Sequence, residues 1–290
     1  MNLRRTVPFS QQQGYLTIAQ NSNDVDYLRL AYLQALSIKA TQKINNYAVV
    51  VDSHTVKQVT DLHRQVFDYV IELPFDDMAE NVNWKLQNEW QVWWATPFKE
   101  TIKLESDLLL TVPQDHWWHM LRHKDVCFSV VARDYRNAIS HSRTYRTAFD
   151  KNNLPNAYNG FSYFRYSKTS ADFFVALKDI FEKTDIVKRN LSYCNKIATD
   201  EAYAVAANII GKEKCFLSHT DYPCFTHMKP GIHNWPESTN WLDVLPYSLN
   251  DDASIIVGGY RQLYPFHYYE KEFATDKVIS HYEQLFFSRS

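Results

Sequence analysis

The sequence predicts an α/β protein built on a mainly parallel, Rossmann-like sheet flanked by helices, and three observations carry that prediction. Short apolar runs at 15–19 (YLTIA), 47–51 (YAVVV) and 69–73 (YVIEL) have the length and side chains of buried strands. Helical periodicity lies between them, and strand–helix alternation is the signature of a parallel sheet. With 290 residues, 45% of them apolar and 22% charged, the chain can bury a large core.

Each element follows in order. After the first strand comes polar QNSND, where Asn23 or Asp24 is expected to cap a helix. That helix places Leu28, Ala31, Tyr32, Ala35 and Ile38 on one face. The second strand ends at Asp52, a helical piece follows over 55–67, and the third strand completes the alternation. Residues 84–98 (WKLQNEWQVWWATPF) read as a helix stopped by Thr96-Pro97, and they lead into a strand over TIKL. Further strands are expected at 126–132 and 159–166, and helices at 169–183 and 199–210. From 211 onward the chain is aromatic-rich and lacks clear periodicity, as expected of a segment packed over a site. Without a repeat or linker, a single domain is expected, with a nucleotide-binding half over 15–110 and an acceptor-binding half with a C-terminal lid over 111–290.

Composition limits the function. A net charge of −2 supplies no global attraction for nucleic acid, so any basic surface must be local. No apolar run approaches the roughly 20 residues that cross a bilayer, and MNLRRTVPFSQQQG lacks the apolar core of a signal peptide. Cys127, Cys194, Cys215 and Cys224 form no CxxC pair and read as reduced thiols of a cytoplasmic protein. Cys215, His219 and Cys224 lack the fourth ligand that a zinc site requires.

In parallel sheets, ligands collect at the carboxyl ends of the strands. Gln20, Asn21, Asp52 and the pair Glu105–Asp107 all fall there. Acids at i and i+2 can converge on one hard cation while Ser106 faces away. An acid-x-acid pattern is also a common solvated turn; its position after an apolar strand sets this one apart. In THMKPGIHNW, residues 226–235, His227 could add an imidazole suited to Mn²⁺, and Lys229 a point charge for a phosphate.

The order of these pieces resembles the GT-A glycosyltransferases, especially their glycogenin- and galactosyltransferase-like retaining branch. Five stretches carry the resemblance over residues 15–235: TIAQNSNDVDYLRLAYLQALSIK, TPFKETIKLESDLLL, AYNGFSYFRYS, ATDEAYAVAANI and THMKPGIHNW. It implies that Glu105, Asp107 and His227 bind Mn²⁺ or Mg²⁺, which bridges the diphosphate of a nucleotide-sugar, with a UDP-sugar the expected donor. It implies that Ala19, Gln20, Asn21 and Tyr27 border the base, that Asn159 and Gly160 face sugar or acceptor, and that Asp200 and Glu201 line the sugar pocket. The chain departs from the family in having Glu for the first acid and in its shorter histidine loop.

The acceptor is expected beside RDYRNAISHSRTYRTAFDK, residues 133–151. There Arg133, Arg136, Arg143, Arg146 and Lys151 face only Asp134 and Asp150, with three aromatic rings interleaved. Such a mixture suits a phosphate backbone and stacked bases. The chain also resembles, more faintly, small glycosyltransferases of tailed bacteriophages, some of which add sugars to hydroxymethylated bases. The sequence therefore points to 5-hydroxymethylcytosine in double-stranded phage DNA as acceptor, flipped into the site, with activity in the host cytoplasm. A glycan, lipopolysaccharide or protein acceptor is the alternative, and a non-catalytic binding module on the same scaffold is the third reading.

Overall fold

The computed structural model describes residues 6–82, 85–194, 197–217 and 222–288. Its strands are β1 (Gln11–Ala19), β2 (Tyr47–Val51), β3 (Tyr69–Glu72), β4 (Phe98–Leu104), β5 (Leu108–Leu109), β6 (Val126–Ser129) and β7 (Val131–Arg133). They continue with β8 (Tyr158–Arg165), β9 (Cys224–His227), β10 (Tyr247–Leu249), β11 (Ile255–Val257), β12 (Tyr260–Arg261) and β13 (Phe266–His267).

The fold is α/β with a mainly parallel central sheet, as the sequence predicts. This sheet has the order β3-β2-β1-β4-β8-β6; β3, β2, β1 and β4 are mutually parallel, and β8 runs antiparallel between β4 and β6. Both faces of β1 and β2 are covered. Tyr15, Ala19, Val49 and Val51 join one apolar core, while Leu16, Ile18, Ala48 and Val50 join the other. That is why these strands read as unbroken apolar runs.

The first core is capped by the helix Tyr27–Thr41, held in turn by the C-terminal helix Asp276–Phe287. The second lies under the helices Lys168–Glu182 and Thr199–Ile210. Strands β5, β13, β9 and β7 form a second sheet, and β10–β12 a small antiparallel third.

Several expectations are corrected. The first long helix is capped by Asp26, whose carboxylate accepts from the Arg29 N–H at 3.0 Å, rather than by Asn23 or Asp24. Residues 55–67 divide into a 3-10 turn, Thr55–Gln58, and a helix, Asp61–Val66. The segment before β4 is a 3-10 stretch, Lys85–Gln91, and one short helical turn, Val92–Ala95; Trp84 lies outside the described residues. Here Asn88 and Gln91 bond the backbone of Met78 and Phe75, and those side-chain bonds compete with regular helix. The expected strand at 126–132 breaks at Val130: β6 stays in the central sheet and β7 joins β9 in the second. The described part of the tail beyond 211 holds five short strands and two helices, Trp241–Val244 and Asp276–Phe287, because its aromatic side chains pack as core around Trp241 and Phe273.

Candidate active site

Glu105 follows β4 and Asp107 precedes β5, so the two acids bracket the turn joining the central sheet to the second sheet. The turn is closed by the Leu108 N–H donating to the Glu105 carbonyl at 3.1 Å. Beneath it, the buried Gln34 amide donates to the carbonyls of Glu105 (2.5 Å) and Leu108 (2.6 Å), and Tyr47 fixes the other end of that amide. The backbones of Gly160 and Tyr268 pin the turn on either side, through Glu105 N–H and the Asp107 carbonyl. Two acids beside an apolar strand are thus held rigidly.

Strand β13 brings a third group. His267 Nε2 lies 2.9 Å from Asp107 Oδ2 and 3.4 Å from Glu105 Oε2. Donor atoms of Glu105, Asp107 and His267 all fall within 4.8 Å of one another. His227, the histidine expected at the ion, pairs with His267 across the parallel strands β9 and β13. Paired positions on neighbouring strands stand side by side, so the two imidazoles stack with centroids 4.3 Å apart and planes 4° from parallel.

Two carboxylates and an imidazole suit Mn²⁺ or Mg²⁺, and two observations fit an ion here. Gly160 backs directly on the cluster: a Cβ there would meet Phe225 Cζ at 3.1 Å and touch His267 Nδ1 at 3.4 Å and Glu105 Oε2 at 3.5 Å. His227 Nδ1, His267 Nδ1 and Thr199 Oγ1 are buried polar atoms of the same cavity without protein partners.

The cavity holds about 300 Å³. Of the residues expected to form the site, Gln20, Tyr27, Glu105, Asp107, Gly160, Asp200, His227 and Lys229 line it. Gln20 bridges Asp52, Asp77 and Asn88, while Asp52 caps the turn at Thr55 and Asn21 accepts from the Leu28 N–H. Ala19, Asn21 and Asp52 do not line the cavity, and Asp52 holds the lining Gln20 from behind.

Asn159 lies one layer below. Its amide donates to Glu105 Oε1 at 3.0 Å and Glu89 Oε1 at 3.2 Å, and accepts from Lys103 at 3.1 Å. Glu89 and Lys103 form a fully buried ion pair at 2.5 Å. Asp200 accepts the Asn159 N–H at 2.7 Å and the Arg146 guanidinium at 2.7 Å. Glu201 turns back to accept from the Ala198 N–H, capping its own helix.

Electrostatics follow from this layout. Burial raises the Glu105 carboxyl above its ordinary value, against the pull of His267. Burial acts on Asp107 too, but His267 and Lys271 together outweigh it and hold that carboxyl well below the carboxylate range. Burial and the neighbouring His267 and Lys229 push His227 well down, keeping its imidazole neutral and able to act as a ligand or acceptor.

The basic segment is largely neutralised. Arg136 pairs with Asp134, Arg143 with Asp150, and Arg146 with Asp200. Arg133 bonds Cys224 and Asn137 and lies over the Tyr264 ring. Arg146, expected at the acceptor surface, is buried between Phe149 and Tyr158, its guanidinium carbon 3.6 and 4.1 Å from their ring centroids. Its charge serves Asp200, not the surface.

Sequence reasoning missed His267, Lys271, Glu89 and Lys103. A lysine inside an apolar strand, Lys103, was a signal for a buried acid partner. The four cysteines are buried thiols, none of them in a disulfide. His219, weighed beside Cys215 and Cys224, lies outside the described residues. Among the described residues no helix is long and apolar enough to cross a membrane.

No protein-family profile and no curated protein matches the chain. Solved structures with a similar fold include the galactosyltransferase LgtC in complex with donor and acceptor sugar analogs. Its identity is 10% and its TM-score 0.47, over 95% of each chain. The apo glycosyltransferase GlyE of Streptococcus pneumoniae is 10% identical with a TM-score of 0.45, over 97% of this chain and 64% of GlyE. Mouse xyloside xylosyltransferase 1 is 9% identical with a TM-score of 0.44, over 72% and 84%.

Proposed function

We propose that this protein is a GT-A-type glycosyltransferase that uses a divalent cation to move a sugar from a nucleotide-sugar to an acceptor hydroxyl. The observation that carries the reading is the convergence of Glu105, Asp107 and His267 at the strand-end cavity. Mn²⁺ or Mg²⁺ bound there would neutralise the charge that develops on a departing diphosphate. A UDP-sugar is the donor proposed.

The chain's own residues supply the rest. Gln20 and Tyr27 border the space for the base, and Lys229 offers a second positive charge toward the phosphates. Asn159 orients Glu105, and Asp200 presents its partly exposed carboxylate to the sugar. Retention of configuration is supported by the engagement of the acids: Glu105 and Asp107 at the cluster, Asp200 on Arg146, and Glu89 on Lys103. With these acids committed, the acceptor proton passes to the leaving phosphate.

For the acceptor, the sequence favours 5-hydroxymethylcytosine in DNA. The pairing of Arg136, Arg143 and Arg146 with acids instead favours a glycan or other uncharged hydroxyl, since a duplex requires several unpaired cations. The test is a panel of nucleotide-sugars with Mn²⁺, scored for nucleotide release with DNA carrying hydroxymethylcytosine, with oligosaccharides, and alone. Release from one donor, abolished by Asp107→Asn, is expected. Release from none, with every acceptor class present, overturns the transferase reading.

A further inference from the structure

We propose that Lys271 is a built-in competitor of the divalent ion, its ammonium holding Asp107 so that an entering cation must displace it. The inference rests on the reading of Glu105, Asp107 and His267 as the ion's ligands.

One short segment delivers both rivals to the same carboxylate. His267 ends β13, and Lys271 opens the following 3-10 turn, Lys271–Phe273. Between them Tyr269 takes φ +63°, a left-handed conformation that a bulky residue seldom adopts. That reversal folds the chain back, so the Lys271 ammonium reaches Asp107 Oδ2, the oxygen that also faces His267 Nε2. The segment is anchored: the Tyr268 N–H donates to the Asp107 carbonyl at 3.1 Å, and Trp241 Nε1 donates to the Tyr268 carbonyl at 2.7 Å. These bonds fix the backbone beside the cluster and leave the Lys271 side chain as the part that can move.

Competition follows from charge and geometry. Glu105 and Asp107 bring two negative charges, and Lys271 already satisfies part of that demand. Asp107 Oδ2 cannot serve an ammonium and a divalent ion at full strength together, and the two cations repel. Lys271 has somewhere to go, since its side chain is 31% exposed while that of Asp107 is 7% exposed. The Tyr269 carbonyl, 3.0 Å from Nζ, gives it a second partner.

The experiment is titration of the full chain with Mn²⁺, following the free ion by electron paramagnetic resonance. Lys271→Met and Lys271→Gln should bind the ion at least about tenfold more tightly than wild type, as expected on removing a unit charge a few ångströms away. Lys271→Arg, which keeps the charge, should stay near wild type. Asp107→Asn should bind weakly. Equal or weaker binding by both neutral variants overturns the competitor role while leaving the ion site standing. Absence of binding in wild type and in both neutral variants overturns the ion site as well.

Discussion

Asp107 Oδ2 meets His267 Nε2 and the Lys271 ammonium, and its carboxyl stays ionised because those two groups outweigh its burial. Asp107→Asn is expected to lower nucleotide release by about two orders of magnitude or more, measured at saturating Mn²⁺. Asn159 acts through Glu105, so Asn159→Ala should weaken Mn²⁺ binding by about 10- to 100-fold, read by titration, and leave the donor's base contacts intact. Gly160→Ala tests the space at the cluster. Its new Cβ would stand 3.1 Å from Phe225 Cζ and close to His267 and Glu105, so ion affinity should fall more than thermal stability does. At this scale the two acids were legible from their placement rather than their spacing, since Glu105 and Asp107 follow an apolar strand. His267 was not. It sits on a two-residue strand in a stretch without periodicity, and its place is fixed by pairing with β9 forty residues earlier.

Elements decide which charges reach the surface. The helix Thr147–Lys151 and strand β8 enclose Arg146, whose pair with Asp200 steadies the Asn159 backbone. Arg146→Ala removes a buried guanidinium from between Phe149 and Tyr158 and leaves a partly exposed carboxylate without its partner, and should destabilise the fold by about 2–3 kcal/mol, measured by denaturant unfolding. Local counting of charge in 133–151 suggested a basic surface. It could not register Asp200, which lies 54 residues away and neutralises one of those arginines. The turn Pro230–Ile232 carries His233 against Trp235, with ring centroids 4.2 Å apart, and burial lowers its pKa from 6.5 to about 4. The folded state thus disfavours the proton. The stability contributed by the neutral ring is whole above pH 6.5 and is lost as pH falls toward about 4. The loss is at most about 3 kcal/mol. His233→Gln should flatten the melting temperature against pH across that window.

For the whole molecule, the cavity depends on parts far apart in sequence. Strand–helix alternation made the first half readable, since β1 and β2 are buried on both faces and carry their pattern locally. The second sheet was not readable, because β5, β7, β9 and β13 are two to four residues long and are defined only by each other. The C-terminal helix closes the assembly: Arg29 donates to the Ala274 carbonyl, Tyr32 to Glu283, and Tyr282 to the Ala253 carbonyl. Removing residues from 275 onward should cost on the order of 5 kcal/mol from lost apolar burial, seen as a lower calorimetric midpoint. It should also weaken Mn²⁺ binding, because the exposed helix Tyr27–Thr41 carries the Gln34 clasp on the acidic turn. The most direct test of the account is pulsed electron paramagnetic resonance of the Mn²⁺-loaded protein, read for nitrogen-14 modulation from a coordinating imidazole. The account predicts modulation that disappears in His267→Gln and persists in His227→Gln. Modulation that survives loss of His267, or none in the wild type, would contradict it.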